Sequence, residues 1–363
     1  MNINLFSMKK RKLLFLGETY RADAITWMDG LEKFGKFKII TWELKTPNNS
    51  ALNRVKRTFE FLLAPIKIKK IIREQHPDMI VAERTTSYGF LATLTAGLRP
   101  VAIAQQGSTD LWPENSITIP LKRFIQKQAF KKATLIHAWG VVMADYMISA
   151  NVDMEKVLVL PKGIDLDKFQ NNNTANPDKI RAIVTRSLLP EYRHEVILKS
   201  FDILNQKGID FMLTVVGDGD QLSFLKKSAK EKNIQKKIAF TGRIENTELP
   251  KLLQESNLYI SMPITEGVSA SLFEAMACNC YPIVSDIPGN QSWINHRENG
   301  QLITVDDSEM LANELIWAFE NSATRNKAVL ENRKFIETYV DYKTNMTIIS
   351  KKYHELIDAY EAN

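Results

Sequence analysis

The stretch TEGVSASLFEAMACNCYPIVSDIPGN, Thr265 to Asn290, decides how the second half of this chain is read. Just before it, NLYISMP (Asn257–Pro263) is a short apolar run bounded by polar residues, as expected of a buried strand. After Val268, SASLFEAMA places Leu272, Phe273, Met276 and Ala277 at helical spacing. Strand, tight turn and helix N-terminus make an anion site in many α/β proteins, because the unpaired N–H groups there carry about half a positive charge. Ser269 suits the helix cap, and Gly267 permits a ligand to approach the backbone closely. Two glutamates, Glu266 and Glu274, stand eight residues apart around that turn. Strand–turn–helix units with a serine cap also occur where nothing binds, so the rest of the chain has to decide.

Short apolar runs alternate with longer amphipathic ones along all 363 residues. The strand candidates in the first half are Lys12–Gly17, Lys38–Trp42, Asp78–Ala82, Val101–Gln105, Thr134–Trp139 and Val157–Pro161. In the second half they are Ile180–Arg186, Phe211–Gly217, Lys237–Gly242, Asn257–Ser261 and Tyr281–Asp286. Helical stretches separate nearly all of them, which argues α/β architecture with two parallel, doubly wound sheets. The Asn-rich, Pro-bounded tract between the halves has no apolar periodicity and reads as a linker. The expected division is an N-terminal domain over 1–165, a linker over 166–179, a second domain over 180–340 and a final helical segment over 341–363. Candidate residues fall repeatedly at the carboxyl ends of strands, where open α/β sheets bind ligands. These are Gly17, Gln105-Gln106-Gly107, Arg186, Gly217, Gly242-Arg243 and Glu266-Gly267.

Composition is ordinary for a globular protein, with 44% hydrophobic and 25% charged residues. No apolar run reaches the roughly 18 residues of a spanning helix, and the N-terminal apolar run is too short for a signal peptide, so a cytoplasmic location is expected. The two cysteines, Cys278 and Cys280, sit in an apolar setting and read as small core residues. No zinc-like cluster of histidine and cysteine is evident, and no metal site is expected. Charge divides unevenly: residues 1–170 carry a net +10 and the remainder a net −4. A basic first half points to an anionic partner. Nucleic acid is disfavoured by the absence of an aromatic-basic platform.

Six pieces of the second half, PKGIDLDKF, TRSLLPEYR, LTVVGDGDQ, IAFTGRI, TEGVSASLFEAMACNCYPIVSD and NGQLI, occur in the order found in family-4 glycosyltransferases, and the chain resembles that family. The resemblance implies the GT-B fold: two Rossmann-like domains facing across a cleft, with a C-terminal helix returning to the first. It implies transfer of a sugar from a UDP- or GDP-sugar, with retention at the anomeric carbon and no further cofactor. Glu274 would accept hydrogen bonds from the ribose diol, and Glu266 would hold the transferred sugar. The N–H groups of Gly267, Val268, Ser269, Ala270 and Ser271 would receive the distal phosphate. Arg186 stands where the family keeps a diphosphate-binding arginine. Relatives often add a lysine one turn on. Here PEYRHE offers Tyr192 and Arg193 instead, and Arg193 would supply the charge. Gly242 and Arg243 would frame the base, and Gly17 and Gly217 would let backbone approach the donor. Asn279, standing where relatives often have glycine, tolerates the left-handed helix end.

In the first half the family often places a histidine near the sugar. The corresponding strand end, AQQGSTD, lacks one, which leaves Gln106, Ser108, Thr109 and Asp110 as acceptor-site candidates. His137 reads as a core residue. Basic residues interleaved with apolar ones over Arg54–Glu74, and the stripe Arg123, Lys127, Lys131, suit peripheral contact with the inner face of an anionic membrane. The acceptor implied by the resemblance is a glycolipid or polysaccharide, in envelope or exopolysaccharide synthesis. Two other readings stay open from sequence: a sugar-nucleotide epimerase of the same fold, and a non-catalytic module that binds a partner enzyme.

Overall fold

A computed structural model describes residues 11–46, 50–105, 107, 111, 117–172, 174–175 and 179–362. The chain divides into two compact units, Met1–Lys162 with Tyr342–Asn363, and Gly163–Asp341. Each is built on a six-stranded sheet in which every pairing is parallel.

In the first unit the strands are β1 (Lys12–Leu16), β2 (Lys38–Trp42), β3 (Met79–Glu83), β4 (Val101–Ala104), β5 (Leu135–Ala138) and β6 (Val157–Val159), in the order β2-β1-β3-β4-β5-β6. Strands β1, β3, β4 and β5 are almost wholly apolar because both faces are covered. The final helix, Tyr342–Glu361, belongs to this unit. Its His354 carbonyl accepts from buried Arg11 at 2.9 Å, and Asp358 completes an ion pair with the same guanidinium. Tyr342 donates its hydroxyl proton to the Thr26 carbonyl at 2.6 Å. His137 is fully buried on β5, stacked on Trp139 with its Nε2 2.7 Å from the Tyr353 hydroxyl. Burial pushes its pKa down to about 3, so it is a neutral core residue.

In the second unit the strands are β7 (Ile180–Thr185), β8 (Phe211–Val216), β9 (Ile238–Gly242), β10 (Leu258–Ser261), β11 (Tyr281–Ser285) and β12 (Gln301–Ile303), in the order β12-β11-β10-β7-β8-β9. Side chains alternate along the central strands. Ile180, Ala182 and Val184 of β7, with Leu258 and Ile260 of β10, enter one core with the helix His194–Gln206 and the helix Ser308–Glu320. Ile183, Tyr259 and Val284 enter the opposite core with the helix Ala270–Ala277. Each fully buried large apolar side chain contributes about 1.5–3 kcal/mol, so both cores are fixed by this alternation. Chain direction out from the sheet reverses between β7 and β10, which makes their carboxyl ends the topological switch point.

Two features differ from the sequence reading. The tract 166–179 is not a free connection: it lies within the second unit, where Phe169 is buried and the Thr174 N–H donates to the Gln254 carbonyl at 2.8 Å. The unit boundary falls just before it, at Lys162/Gly163. The edge strand β12 was not expected, because three residues (QLI) carry too little periodicity to be seen.

Candidate active site

The opening stretch lies at the β7/β10 switch point. The helix Ala270–Ala277 begins where it should: Ser269 takes an extended conformation and its Oγ accepts from the Leu272 N–H at 3.2 Å. It ends at Asn279, left-handed at φ 60°, with the Cys280 N–H returning to the Ala275 carbonyl at 2.9 Å. Leu272, Phe273 and Met276 are buried and fix its pitch against the sheet. Cys278 and Cys280 are buried free thiols, and burial raises the Cys278 thiol to about 12. The N–H groups of Gly267 through Ser271 donate to none of the described residues, so the helix entry keeps its positive end open.

Arg186 follows β7 directly and ties this entry together. Its Nη2 donates to Glu266 in a close ion pair and to Ser269 Oγ at 2.7 Å, while Nε donates to Ser261 Oγ, the end of β10, at 3.2 Å. The Tyr192 ring lies against the guanidinium, 5.3 Å from its centroid. A hydroxyl chain runs on from the cap: Ser269 Oγ to Ser271 Oγ at 3.2 Å, and Ser271 Oγ to the Tyr259 hydroxyl at 2.9 Å. Burial holds the Glu266 carboxyl above its usual range, with Arg186 acting the other way.

Glu274 lies one turn into the helix, half-buried, and its carboxylate accepts no hydrogen bond from the described residues. Burial raises its pKa to about 7, opposed by the nearby charges of Lys168 and Arg186. Lys168 is the residue that sequence reasoning passed over. It sits in the matched segment PKGIDLDKF, and its own pKa is lowered by burial despite Glu274 and Asp165.

Arg193, expected to supply the charge of the absent lysine, is not brought into this group. It adopts φ 50° at the start of the helix His194–Gln206, and this left-handed turn swings its Nε to within 3.0 Å of Asp306 Oδ1. Tyr192, its neighbour, takes the place beside Arg186. Gly217 has a structural reason of its own at φ 137°: a Cβ there would stand 2.3 Å from the Arg186 carbonyl oxygen. Gly242 ends β9 at φ 70°, with Arg243 exposed beyond it. Gly17 closes β1 beside Glu83 in the first unit. Gln106, Ser108, Thr109 and Asp110 lie outside the described residues.

A second missed element is Pro288-Gly289-Asn290, the tail of the opening stretch. A Cβ on Gly289 would lie 2.2 Å from the Glu266 carbonyl oxygen, so only glycine lets this turn support the Glu266 loop. Asn290 Nδ2 donates to the Ser285 carbonyl at 2.8 Å, and Ser285 Oγ donates to the Pro263 carbonyl at 2.7 Å, pinning the loop from behind. The proline-glycine turn signal after YPIVSD was visible in the sequence, but not its target. Among the described residues no group of three or more His, Cys, Asp or Glu is placed to hold a metal ion.

At one end of the β9-β8-β7-β10-β11-β12 sheet the structure thus gathers a carboxylate that accepts no hydrogen bond from the described residues, an arginine and an open helix entry: an acceptor, a cation and a row of N–H donors. Residues 165–335 match the family described as glycosyl transferases group 1, and residues 29–138 match that described as glycosyl transferase 4-like. EpsF of Bacillus subtilis (strain 168) is 24% identical over 306 residues, 79% of this chain and 75% of that protein. The Escherichia coli UDP-Gal:alpha-D-GlcNAc-diphosphoundecaprenol alpha-1,3-galactosyltransferase is 27% identical over 180 residues, 46% of each chain. The crystal structure of Anabaena HepE in complex with UDP-glucose superposes with a TM-score of 0.74 at 16% identity, covering 96% of this chain and 99% of that one. Two family matches, one in each half of the chain, and a fold shared along nearly the whole length point the same way: the chain resembles the group 1 and 4-like glycosyl transferases in its two halves, has the GT-B fold and is a glycosyltransferase.

Proposed function

We propose that the enzyme transfers a sugar, with retention of anomeric configuration, from a UDP-sugar to a lipid-linked glycan acceptor in cell-envelope or exopolysaccharide synthesis. The observation that carries this reading is Glu274: a half-buried carboxylate with no hydrogen-bond donor among the described residues, one turn above an open helix entry. A ribose diol supplies the two donors it lacks, and the diphosphate then extends toward the N–H groups of Val268–Ser271 and Arg186. Binding the diphosphate draws Arg186 from Glu266 and leaves that carboxylate to hold the sugar hydroxyls. Arg186, Lys168 and the helix entry neutralise the charge that grows on the leaving diphosphate. UDP is chosen over GDP because the structural neighbour holds UDP-glucose and the E. coli relative is named for UDP-Gal. A nucleotide-sugar panel offered with a lipid-diphosphate acceptor should yield product only from a UDP-sugar, and NMR of the product should show the donor's anomeric configuration. Inversion, or transfer from another nucleotide class alone, would sink the proposal.

The acceptor side of the reading rests on the helix Ala51–Gln75. Leu52, Val55, Phe59, Leu62, Leu63 and Ile66 are each more than half exposed, and their spacing puts them on one stripe about 100° wide. Lys56 and Lys67 lie along one edge of that stripe, and Lys70 and Arg73 continue it. Such a face suits an anionic membrane surface, where a lipid-linked acceptor resides. No described helix is long and apolar enough to cross a membrane. Co-sedimentation with anionic vesicles, lost in the Phe59→Asp/Leu62→Asp variant, is the expected result, and retention by that variant would count against the contact.

A further inference from the structure

The first unit has its own switch point, between β1 and β3. A pocket of about 650 Å³ opens there, lined by Glu18 after β1, Arg84 after β3, Arg54 and Arg57 of the helix Ala51–Gln75, and Thr118 and Lys122 at the helix Ile119–Lys132. Thr58, Thr86 and Ser87 add hydroxyls to the wall. Glu18 is buried and serves three cations at once. It accepts from both Arg84 nitrogens at 3.1 and 2.7 Å, from Arg57 at 3.3 Å and from Arg21 at 3.3 Å. One carboxylate cannot neutralise three guanidiniums, and Arg54 has no ion-pair partner among the described residues. Among the described residues the other carboxylates beside this wall are occupied: Glu83 accepts from the Glu18 N–H, Glu60 from the Lys45 and Thr46 N–H groups, and Glu43 from Thr19.

The backbone here is held in an uncommon conformation. Arg84 adopts φ 57°, and the turn after it, Thr85–Gly89, is π-helical. The Arg84 N–H donates to the Ala104 carbonyl at 2.8 Å, and the Arg84 carbonyl accepts from the Gly89 N–H at 3.0 Å. A bulky residue held with positive φ costs energy, and such strain persists at sites where side-chain aim matters. What it achieves is a guanidinium and two hydroxyls, Thr86 and Ser87, turned to one pocket.

We propose that this pocket binds the diphosphate ester of the lipid-linked acceptor, with Arg54, Arg57, Arg84 and Lys122 as its cationic wall. The proposal rests on the reading of the chain as a transferase acting on such acceptors. It goes beyond it in assigning the acceptor's charged group to a built site in the first unit. The chemistry is that of forked guanidiniums and hydroxyls meeting phosphoryl oxygens.

The test titrates the full chain, first saturated with UDP so that the second unit's site is filled, with farnesyl diphosphate and separately with inorganic pyrophosphate. Calorimetry should show farnesyl diphosphate binding at least as tightly as pyrophosphate. Arg54→Ala should weaken it about 10-fold, Arg54→Glu further, and Arg54→Lys should restore most of it. Arg54 is exposed, so these variants should melt like the wild type, and Lys122→Ala gives an independent second reading. Binding that vanishes once UDP is present, that ignores Arg54→Glu, or that favours pyrophosphate would overturn the proposal while leaving the donor reading intact. Failure of UDP itself to saturate would strike the donor reading instead.

Discussion

Glu274→Gln is expected to make the protein more stable and a far weaker binder of its donor. Burial raises the Glu274 carboxyl to about 7, against an ordinary value of 4.5. The sign follows from which state binds the proton more tightly. Below pH 4.5 the group is protonated in folded and unfolded chains alike and has no effect. Between 4.5 and about 7 the unfolded chain ionises while the folded one resists, so wild-type stability falls as pH rises, by up to about 3 kcal/mol. Glutamine has no proton to lose, so its advantage should be absent at pH 4, grow toward pH 7 and level off above. Melting curves across that range should show a gain of a few degrees at pH 8. Calorimetric titration should show nucleotide-sugar affinity falling by about 100-fold or more, the loss of two hydrogen bonds to a charged acceptor. Wild-type affinity should itself rise as pH climbs through 7, because the ionised carboxylate is the better acceptor. A variant that loses stability at pH 8 would refute this account of the site.

Arg186→Ala should have the second large effect, on turnover. The guanidinium holds Glu266, the Ser269 cap and the end of β10 before substrate arrives, and is assigned the diphosphate afterwards. Its loss removes a preorganised cation from the leaving group, and kcat should drop by about 10²- to 10³-fold. It also leaves the Glu266 carboxyl buried without its cation, raising a pKa that burial already holds high. The fold should therefore weaken, by about 3 kcal/mol, and more at pH 8 than at pH 6. Adding Glu266→Gln should return the stability without the activity, a non-additivity expected of groups in direct contact.

Much of this site was legible in the sequence because its parts are local. The Ser269 cap, the helix to Ala277 and the left-handed Asn279 are each settled by residues within a few positions of one another. The strands were legible because all-parallel sheets bury both faces and so leave continuous apolar runs. What was not legible depends on distance. Arg193 was read as the substitute cation because PEYRHE offers it where relatives keep a lysine, but with a left-handed φ it pairs with Asp306. The charge of Lys168, from about 100 residues upstream, acts on Glu274, and Gly289, from the next strand's loop, packs against the Glu266 backbone; nothing local announces either. The tract 166–179 looked like a linker because it is polar, yet its Phe169 is buried and its backbone bonds to the second unit. The cationic pocket of the first unit was foreshadowed only as net charge. Which arginines meet, and that they meet around Glu18, is a consequence of the β1/β3 switch point.

The central claim is that Glu274 reads a ribose diol. Its most direct test is a four-way comparison of UDP and 2′-deoxy-UDP, each titrated into wild type and Glu274→Gln. The account predicts that removing the 2′-hydroxyl weakens binding to wild type about 10-fold or more and changes binding to the variant little, the signature of one direct contact. Equal losses in both proteins would mean that the hydroxyl is read elsewhere, and the assignment of Glu274 would fall.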